Sequence, residues 1–163
     1  LVSQLAAGKS HVEGVELGGI GNYQATSDAS AIDGSEIVII AVPTPLNSER
    51  KPDLSYLESA CEIVVKNLKN KALIINESTS FPGTLRELIA ESIEKGSGLG
   101  HLYAASPERV DPGNPVWNQS NTPRLVAGLT AGSADGFFCF ILSNVACNSA
   151  LAFCALRLYC NFL

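Results

Sequence analysis

The chain has 163 residues, 46% hydrophobic and 17% charged, which suits one ordinary buried core and argues against a disordered segment. Its formal net charge is −5, and Lys and Arg are scattered rather than clustered, so the electrostatic footprint of a nucleic-acid binder is missing. Cys61, Cys139, Cys147, Cys154 and Cys160 form no C-x-x-C pair and have no interleaved histidine, so neither a disulfide framework nor a zinc site or other metal site is encoded and a reducing cytoplasm is expected.

In chain order, Leu1-Val2-Ser3-Gln4-Leu5 carries no initiator methionine and no basic stretch before an apolar one, and reads as an internal cut through a longer protein. Tyr23-Gln24-Ala25-Thr26 is a candidate short edge strand, and Asp28 or Ser30 a cap for one helical turn. Ile37-Val38-Ile39-Ile40-Ala41-Val42, ended by Pro43, is a β-branched run suited to a strand buried on both faces of a parallel sheet. Leu54, Leu57, Cys61, Val64 and Leu68 follow at helical spacing, with Asp53 placed to cap the helix and Cys61 reading as a small core residue.

The pattern then repeats. Ala72-Leu73-Ile74-Ile75 predicts a second strand, and Thr84-Leu85-Arg86-Glu87 a capping box opening a helix that buries Leu85, Leu88, Ile89 and Ile93 and stops at Gly96. Leu102-Tyr103-Ala104-Ala105 predicts a third strand, and Arg124-Leu125-Val126-Ala127-Gly128 a fourth. Strand and helix in alternation imply right-handed crossovers and a parallel α/β sheet over residues 1–130. From Ala131 onward the only charges are Asp135 and Arg157, and four of the five cysteines fall here, so 131–163 reads as different material.

Ligands of an open parallel sheet bind beyond the carboxyl ends of its strands. Three loops leave those ends: Val42-Pro43-Thr44-Pro45-Leu46, then Asn76-Glu77-Ser78-Thr79-Ser80-Phe81-Pro82-Gly83, then Ser106-Pro107-Glu108-Arg109-Val110-Asp111-Pro112-Gly113-Asn114. In the first, two prolines hold Thr44 in a fixed pose for a pyrophosphate or ribose, although Pro-Thr-Pro alone is an ordinary turn signal. In the second, Ser78 and Thr79 suit orientation of a substrate or water, or plain capping. In the third, the adjacent carboxylate and guanidinium of Glu108 and Arg109 suit acid–base work and anion contact, or a surface ion pair.

These three loops, in this order, together with Gly8-Lys9-Ser10-His11-Val12-Glu13, resemble the UDP-glucose/GDP-mannose dehydrogenase family over roughly residues 1 to 130. Ser106-Pro107-Glu108-Arg109-Val110-Asp111-Pro112-Gly113-Asn114 is most similar to the UDP-N-acetylglucosamine 6-dehydrogenase branch. The resemblance implies a partial Rossmann-like α/β sheet with flanking helices, lacking the first strand and the glycine-rich turn. Gly18-Gly19-Ile20-Gly21 is no substitute for that turn, since no predicted strand precedes it and no helix follows.

By resemblance, Val42, Pro43, Thr44 and Ser78 line an NAD site, and Thr79 helps to hold a catalytic water. Glu108 assists proton transfer during thioester hydrolysis, and Glu108, Arg109, Val110 and Asp111 contact the nucleotide sugar. The family reaction, which the resemblance places in polysaccharide biosynthesis, is a double oxidation of a sugar hydroxymethyl to a carboxylate. Its nucleophilic cysteine comes from a later domain, and none of Cys139, Cys147, Cys154 or Cys160 stands in the glycine-rich context of that residue. The vertebrate-type UDP-glucose enzymes carry a second glutamate where Pro112 stands, which puts a role for that position in doubt.

The implied partners are therefore NAD and a UDP-sugar, with a homo-oligomeric parent protein and neither nucleic acid nor membrane. Phe137 to Leu156 is an uncharged run of 20 residues, long enough to span a membrane, but Ser143, Asn144, Asn148 and Ser149 lower its hydrophobicity. It reads instead as an atypical tail or the start of a connecting helix. Two rivals stand beside the enzyme reading: a non-catalytic fragment that keeps only the α/β scaffold, and another dehydrogenase such as a hydroxyacid type, which lacks the Ser-Pro-Glu-Arg loop.

Overall fold

The computed structural model describes residues 2–9, 24–109, 114, 116, 122, 123 and 125–146, without the side chains of 141–146. A short helix α1 (Val2–Ala6) ends at Gly8, whose positive φ of 73° closes the turn. The Gly18–Gly21 run, Ser10 to Glu13, Tyr23, Pro112, Gly113 and three cysteines of the tail lie outside the described residues.

The sheet is built from β1 (Ile37–Ile40), β2 (Leu73–Asn76), β3 (Leu102–Ala105) and β4 (Ala127–Gly128), in that spatial order. The first three are parallel and in register, so that Ile40, Asn76 and Ala105 end side by side. β4 corrects the expectation of an all-parallel sheet: it runs antiparallel to β3, pairing Ala127 with Ala105 and Gly128 with Ala104. A parallel neighbour needs a crossover connection, which an antiparallel one does not. Gly128 also lacks room for a side chain, because a Cβ there would collide with the backbone of Ala134.

Both faces of the sheet are covered, which is why the strands read as unbroken apolar runs rather than alternating ones. On one face Val38, Ile40, Ile74 and Tyr103 pack against Leu57, Cys61 and Val64 of α2 (Ser55–Asn67) and against Ile89 and Ile93. On the other, Ile39, Leu73, Ile75 and Ala104 pack against Phe137 of α4 (Ala131–Ala146). Each such side chain contributes about 1.5–3 kcal/mol of transfer free energy. The start of the compositionally different tail thus shares the sheet's core: Phe137 is 1% exposed, and the buried Ser133 hydroxyl accepts from the Tyr103 amide at 3.1 Å.

Several local expectations need correction. β1 stops at Ile40, and Gln24–Thr26 is irregular rather than an edge strand. Asp53 acts one position early: its carboxylate accepts from Ser55 N at 3.0 Å, while Leu54 occupies the cap position with no side-chain bond. No capping box forms at Thr84. Gly83, at φ 99°, sets the helix start, Thr84 turns its hydroxyl back to Phe81 O at 2.8 Å, and 84–90 is π-wound before α3 (Glu91–Ser97).

Gly98, at φ 62°, ends α3 in a left-handed cap, and Gly96 lies inside the helix. A Cβ at Gly96 would collide with Val65 of α2, so this glycine lets the two helices approach closely. The single turn before β1 is as expected, a 3-10 turn (Ala29–Ile32) whose Ser30 amide donates to Asp28 Oδ1. Cys61 is the buried core residue that its spacing implies.

The amino ends of the strands are closed by a polar cluster. Glu94 accepts from His101 N at 2.7 Å, from Gly100 N at 2.9 Å and from the Tyr103 hydroxyl at 2.7 Å. His101 Nδ1 accepts from Ala72 N at 3.2 Å and so ties the start of β3 to that of β2.

Candidate functional site

The carboxyl ends of β1, β2 and β3 are in register, so their exit loops begin side by side. The first loop carries Val42, Pro43 and Thr44 and is closed beyond them by a tight turn. There Asn47 N donates to Lys51 O and Asp53 N to Pro45 O, each at 2.8 Å, and Asn47 Oδ1 accepts from Glu49 N and Lys51 N. Arg50 takes a left-handed φ of 59° in that turn. Val42 and Thr44 are half-buried and Pro43 is exposed, which leaves this loop as a surface that a ligand can reach.

The second loop is anchored through two buried polar side chains. Asn76 Oδ1 accepts from Ser78 N at 3.3 Å, and Asn76 Nδ2 donates to Ser78 O and to Ser80 Oγ, each at 3.2 Å. The Ser78 hydroxyl accepts from Val42 N at 2.9 Å and donates to Ile40 O at 3.4 Å. It therefore joins the second loop to the first. Its acceptor side is committed to the Val42 amide, while its proton sits in a long bond. Thr79, one residue on, is exposed at the same edge.

The third loop is joined to the second by backbone bonds, Ser106 N to Asn76 O at 2.9 Å and Glu108 N to Glu77 O at 3.4 Å. Glu108 and Arg109 are both exposed; Glu108 Oε1 accepts from Arg109 N at 2.8 Å, and Arg109 Nη1 donates to Pro123 O at 3.4 Å. The structure thus brings Val42, Pro43, Thr44, Ser78, Thr79, Glu108 and Arg109 to one edge of the sheet. Val110 and Asp111 lie outside the described residues.

Asn76, Ser106 and the Glu77 carbonyl take part in this edge without having been singled out in the sequence. The available signal was a polar residue closing an apolar strand, as in Ile75-Asn76 and Ala105-Ser106. Among the described residues the buried Ser106 hydroxyl has no hydrogen-bond partner. The chemistry here is that of hydroxyls, amides, one carboxylate and one guanidinium, with no group of three metal-ligating side chains among the described residues. An apolar cleft between β1 and α2 is lined by Ile32, Val38, Ile40, Val42, Tyr56 and Ala60.

Cys61 takes no part in this edge, since it lies in the core on α2. Burial, with a smaller push from Glu58, raises its thiol to about 11, which leaves it protonated and unreactive at neutral pH.

An open α/β sheet with hydroxyl- and amide-rich loops at its carboxyl edge defines a nucleotide-binding α/β domain. The chain belongs to the UDP-glucose/GDP-mannose dehydrogenase family, whose NAD binding domain matches residues 10–137. It is 31% identical over 128 residues to UDP-N-acetyl-D-glucosamine 6-dehydrogenase of Pseudomonas aeruginosa, covering 76% of this chain and 30% of that protein. It is 36% identical over 113 residues to Protein CapL of Staphylococcus aureus, covering 67% and 27%.

Among solved structures, NDP-N-acetyl-D-galactosaminuronic acid dehydrogenase from Methanosarcina mazei Go1 superposes with a TM-score of 0.74 at 30% identity, over 82% of this chain and 31% of that one. The chain therefore spans under a third of the length of these relatives. No helix among the described residues is long and apolar enough to cross a membrane.

Proposed function

We propose that this chain supplies the NAD-binding part of an enzyme that oxidises the C6 hydroxymethyl of a nucleotide sugar, UDP-N-acetylglucosamine or a similar UDP-hexose, to a carboxylate. The observation that carries the reading is the convergence of the three exit loops, tied together by the Ser78–Val42 and Glu108–Glu77 bonds. The residues at this edge fit a dinucleotide. The long Ser78 to Ile40 bond leaves a proton that a ligand can recruit, and the buried Ser106 hydroxyl has no partner among the described residues. When bound, NAD supplies hydride acceptance.

In this reading Val42, Pro43 and Thr44 line the cofactor site from the first strand, and Ser78 faces it from the second. Thr79 orients the water that releases the carboxylate, and the Glu108 carboxylate takes that water's proton. Arg109, with Val110 and Asp111, contacts the anionic nucleotide sugar. The names of the relatives support a UDP-sugar as substrate. A homo-oligomeric whole protein and a cytoplasmic location belong to the same reading, and the cysteine pattern is consistent with the latter.

The test is titration of the isotope-labelled chain with NAD, followed through amide chemical shifts. Saturable shifts at Val42, Thr44, Ser78 and Thr79 are expected, with the amino-end amides of Ala72 and His101 unmoved. Shifts confined to other parts of the chain, or none, would remove the assignment.

A further inference from the structure

We propose that Asn76 is a positioning residue, whose buried side-chain amide fixes the Ser78–Thr79 segment and, through Ser78, the Val42 amide, in the arrangement that dinucleotide binding uses. The inference rests on the NAD-binding reading above and adds to it a residue that touches neither cofactor nor substrate.

Asn76 closes β2 between Ile40 and Ala105 and is 1% exposed. A primary amide buried among strands is favourable only if its polar atoms find partners. An apolar side chain of similar size would fill the space with no desolvation cost. Here the amide makes three bonds, all into the loop that follows it: Oδ1 from Ser78 N, and Nδ2 to Ser78 O and Ser80 Oγ. Ser78 is thereby gripped at both its backbone nitrogen and its carbonyl. With those two points held, its side chain projects toward β1, where it meets Val42 N and Ile40 O.

The next peptide, which carries Thr79, takes its plane from the same held carbonyl. One buried amide thus sets the positions of groups in two of the three loops. The Asn76 backbone carbonyl also receives the Ser106 amide of the third.

The experiment compares the wild-type chain with Asn76→Leu, which keeps the volume and removes the grip. Three quantities are measured: thermal melting, amide exchange at Ser78 and Val42, and NAD affinity by ligand-observed NMR. The leucine variant leaves the buried Ser78 N and O without their partners and is expected to melt below the wild-type temperature. Exchange at both amides should accelerate by about tenfold or more, and NAD affinity should fall several-fold. A merely structural amide would lower melting alone and leave the affinity of the folded fraction unchanged, and that unchanged affinity would overturn the proposal.

Should the leucine variant not fold, Ser80→Ala removes one of the three partners at an exposed site and is expected to move exchange and affinity the same way by less. Unchanged values there overturn the proposal equally. If the wild-type chain shows no NAD binding, the function proposed above fails, and exchange at Ser78 and Val42 still decides whether Asn76 holds the loop.

Discussion

The Ser78 hydroxyl receives the Val42 amide at 2.9 Å, a bond between residues 36 apart in sequence that locks the first exit loop to the second. Ser78→Ala keeps the fold's apolar contacts but leaves a half-buried amide without its acceptor. The expected cost is about 1–2 kcal/mol, measurable as a lower urea midpoint with an unchanged slope. NAD-induced shifts at Val42 and Thr44 should weaken in the same variant. A midpoint equal to wild type would mean that water replaces the hydroxyl at no cost.

The polar cluster at the opposite end of the sheet makes stability depend on pH. Burial lowers the His101 ionisation, with Lys71 adding to the shift, while the Glu94 carboxylate opposes it. The Tyr103 hydroxyl, held by Glu94, is pushed the other way by burial and stays protonated. Since His101 binds its proton more weakly folded than unfolded, its contribution is fully present above the ordinary histidine value of 6.5 and is lost as pH falls below it.

Glu94 acts in the same direction at lower pH. Although burial works against it, bonds from Tyr103, Gly100 and His101 hold its carboxyl below the ordinary 4.5, so its contribution disappears as pH drops through that range. Urea midpoints at pH 7.5 and 5.5 should differ in the wild-type chain, and His101→Gln should remove much of the difference. An equal difference in the variant would assign the effect elsewhere.

Gly96 illustrates both what the sequence made legible and what it hid. The helix over Leu85–Ile93 and its glycine ending were readable from period and composition, yet which of Gly96 and Gly98 ends it depends on the backbone of α3 and on the approach of α2. Only a tertiary neighbour, Val65, gives Gly96 its role. The strands were readable because both their faces are buried, but the direction of β4 was not, since two residues carry no directional signal.

At the candidate site, the loops were found from their prolines, hydroxyls and charges. The grip of Asn76 on Ser78 was missed because a side-chain amide closing a strand looks the same in sequence whether it faces solvent or the core.

The close helix approach gives a double-mutant test. Gly96→Ala gains about 1 kcal/mol of helix propensity but forces a methyl into Val65, and overpacking of this kind costs about 1–3 kcal/mol. A net loss of stability is expected. Combining it with Val65→Ala relieves the collision, so the glycine substitution should be less damaging, or favourable, in that background. Strict additivity of the two changes in denaturation would show that the side chains do not meet.

Cys61 should resist thiol reagents in the native chain, since its thiol is buried and pushed up to about 11, whereas Cys139 is exposed. Brief alkylation followed by peptide mass analysis is expected to label Cys139 well before Cys61, which reacts only after unfolding. Rapid native labelling of Cys61 would show that α2 opens far more readily than its packing implies.

Glu108 carries the strongest consequence for chemistry. Its Oε1 accepts the Arg109 amide at 2.8 Å, a bond that an amide oxygen makes equally well, so Glu108→Gln should preserve the loop while removing the ability to take a proton. In the whole protein that carries this segment, turnover is expected to fall by roughly 10²-fold or more, the range typical of a lost general base, with the melting temperature nearly unchanged. A surface role predicts the reverse: loss of an exposed charge contact costs at most about 1 kcal/mol and leaves turnover intact. Steady-state kinetics of the glutamine variant beside wild type, with melting as the control, separates the two. Normal turnover would reduce Glu108 to scaffolding for Arg109 and move the search for the base to another carboxylate of the exit loops, Asp111 or Glu77.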